Sequence, residues 1–147
     1  MIKIYTDGSS RGNPGPGGYG IVLLYKDNRK ELSQGYNLTT NNRMELLAVI
    51  KALEALNNNK IDITIYSDSK YVVESVERGW IWNWEKVNFK KKQNSDLWKK
   101  FIPLYKKFKV KFEWVKGHSG NIENERCDEL ANTAQERELL IDEGYSK

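Results

Sequence analysis

The sequence has few of the features on which secreted and membrane proteins depend. It contains one cysteine, Cys127, which cannot form an internal disulfide, so the fold does not require an oxidising compartment. No apolar run approaches the roughly 20 residues of a membrane helix. The N-terminus also lacks the basic and then apolar segments of a signal peptide. We therefore expect a cytoplasmic protein with no membrane segment.

The size and composition of the chain are typical of one folded domain. It has 147 residues, of which 39% are apolar and 12% aromatic, too many for a disordered chain. We find no internal repeat, no linker and no change in composition that would separate two domains. We expect a single domain over residues 1–147, and a monomer.

The positive charge is concentrated in one part of the chain. Residues 84–116 contain 11 basic and 3 acidic residues, a net charge of +8, whereas residues 117–147 contain 3 and 8, a net charge of −5. A basic segment beside several tryptophans suggests a polyanionic partner, because contacts to phosphates release counterions. A solvated lysine-rich helix face would explain the charge equally well.

Hydrophobic periodicity and turn residues predict alternating strands and helices. Strands are predicted at residues 2–5, 19–25, 31–36, 61–66 and 110–114, helices at 42–56, 71–76, 97–108 and 124–140, and loops at 12–18 and 85–94. The order β-β-β-α-β-α-α-β-α predicts an α/β fold, a five-stranded mixed sheet flanked by helices. Because helices separate the first, fourth and fifth strands, these three can be parallel and adjacent.

Four acidic residues occupy ends of these elements that the topology can bring together. Asp7 and Asp68 end the first and fourth strands, Glu45 lies in the first turn of the first helix, and Asp128 lies near the start of the last. Ligands usually bind at the carboxyl ends of parallel strands. Four clustered carboxylates would repel one another unless a cation neutralised them, and their hard oxygen atoms suit Mg²⁺ or Mn²⁺. Taken singly, each acid could instead be a helix cap, a turn former or a partner of a helix dipole.

The residues around these acids form motifs that resemble type 1 ribonuclease H of the bacterial kind. The motifs are Tyr5-Thr6-Asp7-Gly8-Ser9, the glycine-rich segment 12–20, Thr39-Thr40-Asn41-Asn42-Arg43-Met44-Glu45-Leu46, Tyr66-Ser67-Asp68-Ser69, and Val115-Lys116-Gly117-His118 followed by Asn124-Glu125-Arg126-Cys127-Asp128-Glu129. They occur in the family's order and span nearly the whole chain. The resemblance implies a ribonuclease H-like fold.

The resemblance also implies a metal-dependent endonuclease that hydrolyses the RNA strand of RNA/DNA hybrids without base-sequence specificity. By position, Asp7, Glu45, Asp68 and Asp128 would bind two Mg²⁺ ions, for which Mn²⁺ can substitute, and the products would carry 5′-phosphate and 3′-hydroxyl ends. His118, the only histidine, matches a family residue that assists proton transfer or product release. Without the motif around it, a single loop histidine such as His118 would be read as a surface residue with no function.

The same resemblance implies a set of substrate-binding residues. Contacts from the minor groove are expected from Asn13, Asn41 and Asn42, a phosphate contact on the DNA strand from Thr40 and Asn83, and sugar contacts from Trp80 and Trp84. Lys70 is a further expected substrate-binding residue, but it departs from the glutamine that relatives often have: a lysine can reach a phosphate or a base edge and offers no acceptor. The lysines of the 85–94 loop resemble a basic protrusion of the family, shortened here, whereas Trp82, Trp98 and Trp114 are expected to be core residues.

Three other functions remain compatible with parts of the sequence. A hybrid-binding module without catalysis is disfavoured because all four acidic positions are intact. A resolvase or integrase-like nuclease of the same superfold is disfavoured by the Asn-Asn-Arg-Met-Glu motif and the basic loop. A glycosidase could also use paired carboxylates, but the charge distribution favours a phosphate-containing substrate.

Overall fold

The computed structural model describes residues 1–57, 60–117 and 119–145, which form one sheet packed against helices. The elements are β1 (Ile2–Ser10), β2 (Gly15–Tyr25), β3 (Asn28–Thr39), α1 (Asn41–Glu54), β4 (Asp62–Ser67), α2 (Lys70–Glu77), α3 (Trp80–Lys86), α4 (Ser95–Lys107), β5 (Lys109–Trp114), α5 (Ile122–Ala134) and β6 (Leu139–Leu140). Within the described residues, no helix is both long enough and apolar enough to cross a membrane.

The six strands are ordered β5-β4-β1-β2-β3-β6 across the sheet. β1 pairs in parallel with β4, and β4 with β5, as the helical crossovers predicted. β2 and β3 are antiparallel to their neighbours, so the sheet is mixed. The predicted α/β class is confirmed. The predicted count of five strands omitted β6, which is two residues long and pairs in parallel with β3.

Several predicted boundaries were wrong. The glycine-rich segment was predicted to be a loop as far as residue 18, but β2 begins at Gly15. The last helix ends at Ala134, capped by Gln135, and residues predicted as its continuation form β6 instead. The predicted loop at residues 85–94 overlaps the end of α3, and Phe89 within it is buried.

The core fills the space between the sheet and the helices that cover it. α1 is the most buried helix, with Met44, Leu46 and Leu53 fully enclosed, and it packs on β1 and against α4. α5 packs on β1 and β2. Consequently α1 and α5 are both fixed against the strand that carries Asp7.

Candidate active site

Asp7 and Asp68 lie next to each other because β1 and β4 are parallel neighbours. The parallel ladder ends with the pair Thr6 and Ser67, so both acids are the first residues beyond it. Asp7 does not end its strand as predicted, since β1 continues to Ser10 by pairing with β2. The chain after Asp68 turns into α2, whose N-cap Ser69 accepts a hydrogen bond from the backbone N–H of Val72.

Glu45 and Asp128 reach the same place from two helices. Glu45 is the fifth residue of α1, just beyond the first turn in which it was predicted, and Asp128, predicted near the start of its helix, is the seventh residue of α5. The prediction placed them too close to the helix starts because the boundaries of periodic segments are uncertain by several residues. Their positions weaken the alternative that they serve the helix dipole, which acts within the first turn.

Two glycines allow the helices that carry these acids to approach the sheet closely. A Cβ atom on Gly8 would collide with the backbone of Met44 and Glu45 in α1. A Cβ atom on Gly20 would collide with the carbonyl oxygen of Cys127 in α5. The absence of a side chain at each position therefore brings Glu45 and Asp128 within reach of β1.

The acids form one cluster. Asp7, Glu45 and Asp68 each place a carboxylate oxygen within 4.8 Å of the others. Asp128 lines the same cavity of about 430 Å³ as these three acids. The structure thus brings together all four residues that the sequence predicted as metal ligands.

The environment of the cluster disfavours the charged forms of Asp7 and Glu45 in the absence of a cation. Burial, with the nearby charges of Asp68 and Asp128, raises the pKa of Asp7 to about 8. Burial and the charges of Asp7 and Asp68 also raise the pKa of Glu45 well above its usual range. Glu45 is 9% exposed, and its buried Oε1 atom has no hydrogen-bond partner among the described residues.

These properties fit a divalent cation. A bound cation would satisfy the unpartnered oxygen of Glu45 and offset the repulsion within the cluster. A donor set made only of carboxylate oxygens suits Mg²⁺ or Mn²⁺ rather than softer metals. The acidic cluster could therefore hold a metal.

Three of the predicted substrate-binding residues line the same cavity as the acids. They are Asn41, Asn42 and Lys70. Asn41 connects two further segments, because its side-chain oxygen accepts from the backbone N–H of Ser10 at 2.7 Å and its own backbone N–H donates to Asn13 at 3.1 Å. The N-terminus of α1 therefore forms a polar rim on the carboxylate cavity.

A second, larger cavity of about 540 Å³ lies beside this rim. Its lining includes Asn13, Thr40 and Asn42, together with Arg43 and residues of the α4 start and the C-terminal segment. The Thr40 hydroxyl is the N-cap of α1 and accepts from the backbone N–H of Arg43 at 3.2 Å. Asn83, which the sequence paired with Thr40, does not line this cavity.

The three α3 residues predicted to contact substrate line neither of these cavities. Trp80 is 41% exposed, with the Arg78 guanidinium 5.8 Å from its ring. Trp84 is half-buried and lies under the Lys92 ammonium at 5.1 Å. Asn83 is exposed between them. Together Trp80, Asn83, Trp84 and Lys92 form a separate surface, here called the α3 surface.

The tryptophans predicted to be core residues differ from one another. Trp98 is fully buried, as expected, and Trp82 is half-buried against Tyr105. Trp114 is 44% exposed, so its prediction as a core residue was wrong. It is the last residue of β5, which lies at the edge of the sheet. At that position, alternation of apolar residues along the strand does not imply that a helix covers the side chain. The prediction for His118 lies outside the described residues.

Arg43 belongs to the motif at residues 39–46, but its structural role was not predicted from the sequence. Its side chain is 3% exposed and forms ion pairs with Asp96 at 2.7 Å and Asp142 at 2.8 Å. Asp142 also accepts a hydrogen bond from the Thr39 hydroxyl at 2.7 Å. Arg43 shares a helix face with Leu46 and Leu47, three and four positions further on, which was the available signal, but its partners lie far away in the chain.

Comparisons with known proteins agree with this geometry. The family model for RNase H matches residues 1–136. The chain is 54% identical to ribonuclease H of Trichodesmium erythraeum, covering 98% of this chain and 95% of that protein.

Two solved structures extend the comparison to three dimensions. LC9-RNase H1, a type 1 RNase H with the type 2 active-site motif, has a TM-score of 0.82 and 31% identity, covering 92% of this chain and 72% of that one. LC11-RNase H1, solved in complex with an RNA/DNA hybrid, has a TM-score of 0.69 and 29% identity, covering 92% of this chain and 97% of that one.

Proposed function

The chain belongs to the ribonuclease H family and is an endoribonuclease, and we propose that it hydrolyses the RNA strand of RNA/DNA hybrids with two bound Mg²⁺ ions. The observation that carries this proposal is the cluster in which carboxylate oxygens of Asp7, Glu45 and Asp68 lie within 4.8 Å of one another. A hybrid bound to LC11-RNase H1 supports the choice of substrate.

The four carboxylates would hold the metal ions from four different elements. Asp7 shares the cavity with Glu45, Asp68 and Asp128, and its carboxylate would be one of the groups that hold the ions. The bound ions would supply an activated water and stabilise the charge that develops on the leaving oxygen at phosphorus. Mn²⁺ can replace Mg²⁺ on the same oxygen ligands. The products would carry 5′-phosphate and 3′-hydroxyl ends.

The rim of the cavity would position the RNA strand over the acids. Asn41 and Asn42 offer amide donors and acceptors suited to 2′-hydroxyls and base edges in the minor groove. Asn13 holds the backbone of Asn41 and would contribute to the same groove. Lys70 lines the cavity and would bring a positive charge to the strand. None of these contacts requires a particular base.

The DNA strand would lie on the surfaces beside the acids. Thr40 faces the cavity next to the rim, where a phosphate would fit, and Asn83 would contribute from the α3 surface. Trp80 and Trp84 offer partly exposed rings to deoxyribose, which lacks the 2′-hydroxyl that would obstruct close packing. His118, by the sequence motif, would assist proton transfer or product release.

The proposal is tested by cleavage of end-labelled substrates. Full-length protein is incubated with RNA/DNA hybrid, duplex DNA and duplex RNA, with Mg²⁺ or with EDTA, beside an Asp7→Asn variant. We expect Mg²⁺-dependent cleavage of the RNA in the hybrid alone, with 5′-phosphate ends, and loss of at least about 10³-fold in rate in the variant. Hybrid binding without metal-dependent cleavage would instead indicate a binding module.

A further inference from the structure

The end of β5 and the residues that follow it contact Asp68 and the residue before it. The backbone N–H of Val115 donates to the Ser67 carbonyl oxygen at 2.9 Å, which extends the pairing of β5 with β4 up to the residue before Asp68. The indole Nε1–H of Trp114 donates to the carbonyl oxygen of Asp68 itself at 3.2 Å. The backbone of Asp68 is thus attached to β5 just beyond the end of β4.

Gly117 lies against the carboxylate of the same residue. A Cβ atom at position 117 would come within 2.6 Å of Asp68 Oδ2 and within 3.5 Å of its Cγ. Real Cβ contacts are essentially never that short, so any side chain would displace the carboxylate or the loop. The absence of a side chain at Gly117 therefore leaves the space that Asp68 Oδ2 occupies.

Trp114 also contacts Lys70, two residues after Asp68. The ammonium group of Lys70 lies 5.3 Å from the centre of the Trp114 ring, within the range of a cation–π interaction. The two residues joined to Trp114 in this way, Asp68 and Lys70, both line the carboxylate cavity. A partly exposed indole therefore supports one wall of that cavity.

We propose that Trp114 and Gly117 are positioning residues that hold the Asp68 carboxylate in place for metal binding. Trp114 fixes the backbone of Asp68 through its indole N–H and restrains Lys70 beneath its ring. Gly117 bounds the space of the carboxylate on the side facing the loop. This inference rests on the proposed function, because it takes Asp68 as a metal ligand.

The mechanism predicts an effect on metal affinity in the absence of nucleic acid. Groups that orient a metal ligand typically change affinity by about 10-fold or more when removed. Loss of the Trp114 N–H would allow Asp68 to sample orientations that do not bind the cation. A methyl group at position 117 would displace Oδ2 directly. Packing residues elsewhere should leave the affinity unchanged.

The test is isothermal titration of Mg²⁺ into the full chain without substrate. Trp114→Phe keeps a ring but removes the N–H donor, and we expect it to raise the Mg²⁺ Kd roughly 10-fold. Gly117→Ala should raise it at least as much. The matched control is Trp82→Phe, since Trp82 also lies under a lysine, Lys106 at 5.6 Å, and should stay within about twofold of wild type. Asp68→Asn reports whether Asp68 binds metal at all.

Thermal unfolding of each variant separates positioning from folding. A folded Trp114→Phe protein with the Mg²⁺ Kd of wild type would overturn the inference, and this variant decides the matter if Gly117→Ala does not fold. Retained Mg²⁺ affinity in Asp68→Asn would instead count against the proposed metal site. At saturating Mg²⁺ we expect the hybrid KM of Trp114→Phe to stay within about threefold of wild type, because its ring still supports Lys70.

Discussion

At the scale of single residues, the protonation of Asp7 links metal binding to pH. Its pKa near 8 means that the metal-free protein holds a proton there at neutral pH, whereas an unfolded chain would not. The folded state thus binds more protons than the unfolded state between about pH 4 and pH 8. The stability of the metal-free protein should therefore fall as pH rises through that window, and metal should oppose the loss.

The substitution Asp7→Asn tests this link. Asparagine has nearly the same shape but no charge, so in EDTA at pH 8 we expect the variant to be more stable than wild type by at least about 1 kcal/mol. At pH 5, where Asp7 is protonated, this difference should shrink. Chemical denaturation at both pH values measures it, with Asp27→Asn on the β2–β3 turn as the control. Equal stability differences at both pH values would contradict the prediction.

Lys70 can be probed by the salt dependence of hybrid binding. If its ammonium contacts a phosphate, Lys70→Gln should lower the magnitude of the slope of log Kd against log salt by about 1 and weaken binding. Lys30→Gln, an exposed lysine near the β2–β3 turn, is the matched control and should keep the wild-type slope. An unchanged slope with weaker binding would point to a base-edge contact instead.

At the scale of secondary-structure elements, the C-terminal segment is joined to α1 by a buried ion pair. The Asp142 side chain is 7% exposed and binds both Arg43 and Thr39, directly before the Thr40 cap and the asparagine rim. The ring of Tyr145 lies 5.9 Å from the same guanidinium. This segment therefore supports the start of the helix that presents Asn41, Asn42 and Glu45.

Breaking this pair should destabilise the protein strongly. Asp142→Asn leaves Arg43 paired only with Asp96, and we expect a loss of about 2 kcal/mol in the free energy of unfolding. The matched control is Glu136→Gln, whose pair with Arg11 is exposed and should contribute less than about 1 kcal/mol. Urea denaturation of the three proteins measures both values. Similar losses in the two variants would show that burial adds nothing.

The sequence predicts features that follow from neighbouring residues or from the order of strands and helices. It does not predict features that depend on contacts between distant parts of the chain. The parallel pairing of β1 and β4 followed from the crossover through α1, and it placed Asp7 beside Asp68. The partners of Arg43 lie 53 and 99 positions away, and no periodic pattern connects them. β6 was missed because Leu139 and Leu140 continue the apolar pattern of α5, and only the neighbouring edge of β3 makes them a strand.

The exposure of Trp114 shows the same limit at the sheet edge. Val110, Phe112 and Trp114 alternate, and Phe112 is buried as the pattern predicts. Alternation reports which face a residue occupies, but not how far along the strand the covering helices extend. Trp114 lies beyond that cover, close to Asp68.

At the scale of the whole molecule, the uneven charge predicts how hybrids bind. Lys90 and Lys91 are exposed and precede Lys92 of the α3 surface, in the segment with a net charge of +8. Replacing Lys90 and Lys91 by glutamine should reduce the magnitude of the slope of log Kd against log salt for hybrid binding by about 1 to 2. The rate at which bound hybrid is cleaved should stay unchanged. Binding assays over a salt series and single-turnover cleavage measure the two effects. The double variant Lys26→Gln/Lys30→Gln serves as control and should keep the wild-type slope. A wild-type slope in the Lys90/Lys91 variant would refute this assignment.

The four acids come from β1, α1, β4 and α5, so the site joins residues 7 and 128 of the chain. During synthesis the ribosome makes Asp7 early and Asp128 only after most of the sheet. A nascent chain can thus pair β1 with β2 and β2 with β3, yet it lacks the last acid until α5 has been translated and has docked against β2. If all four acids hold the metal ions as proposed, nuclease activity is acquired late in synthesis, after the sheet has begun to form.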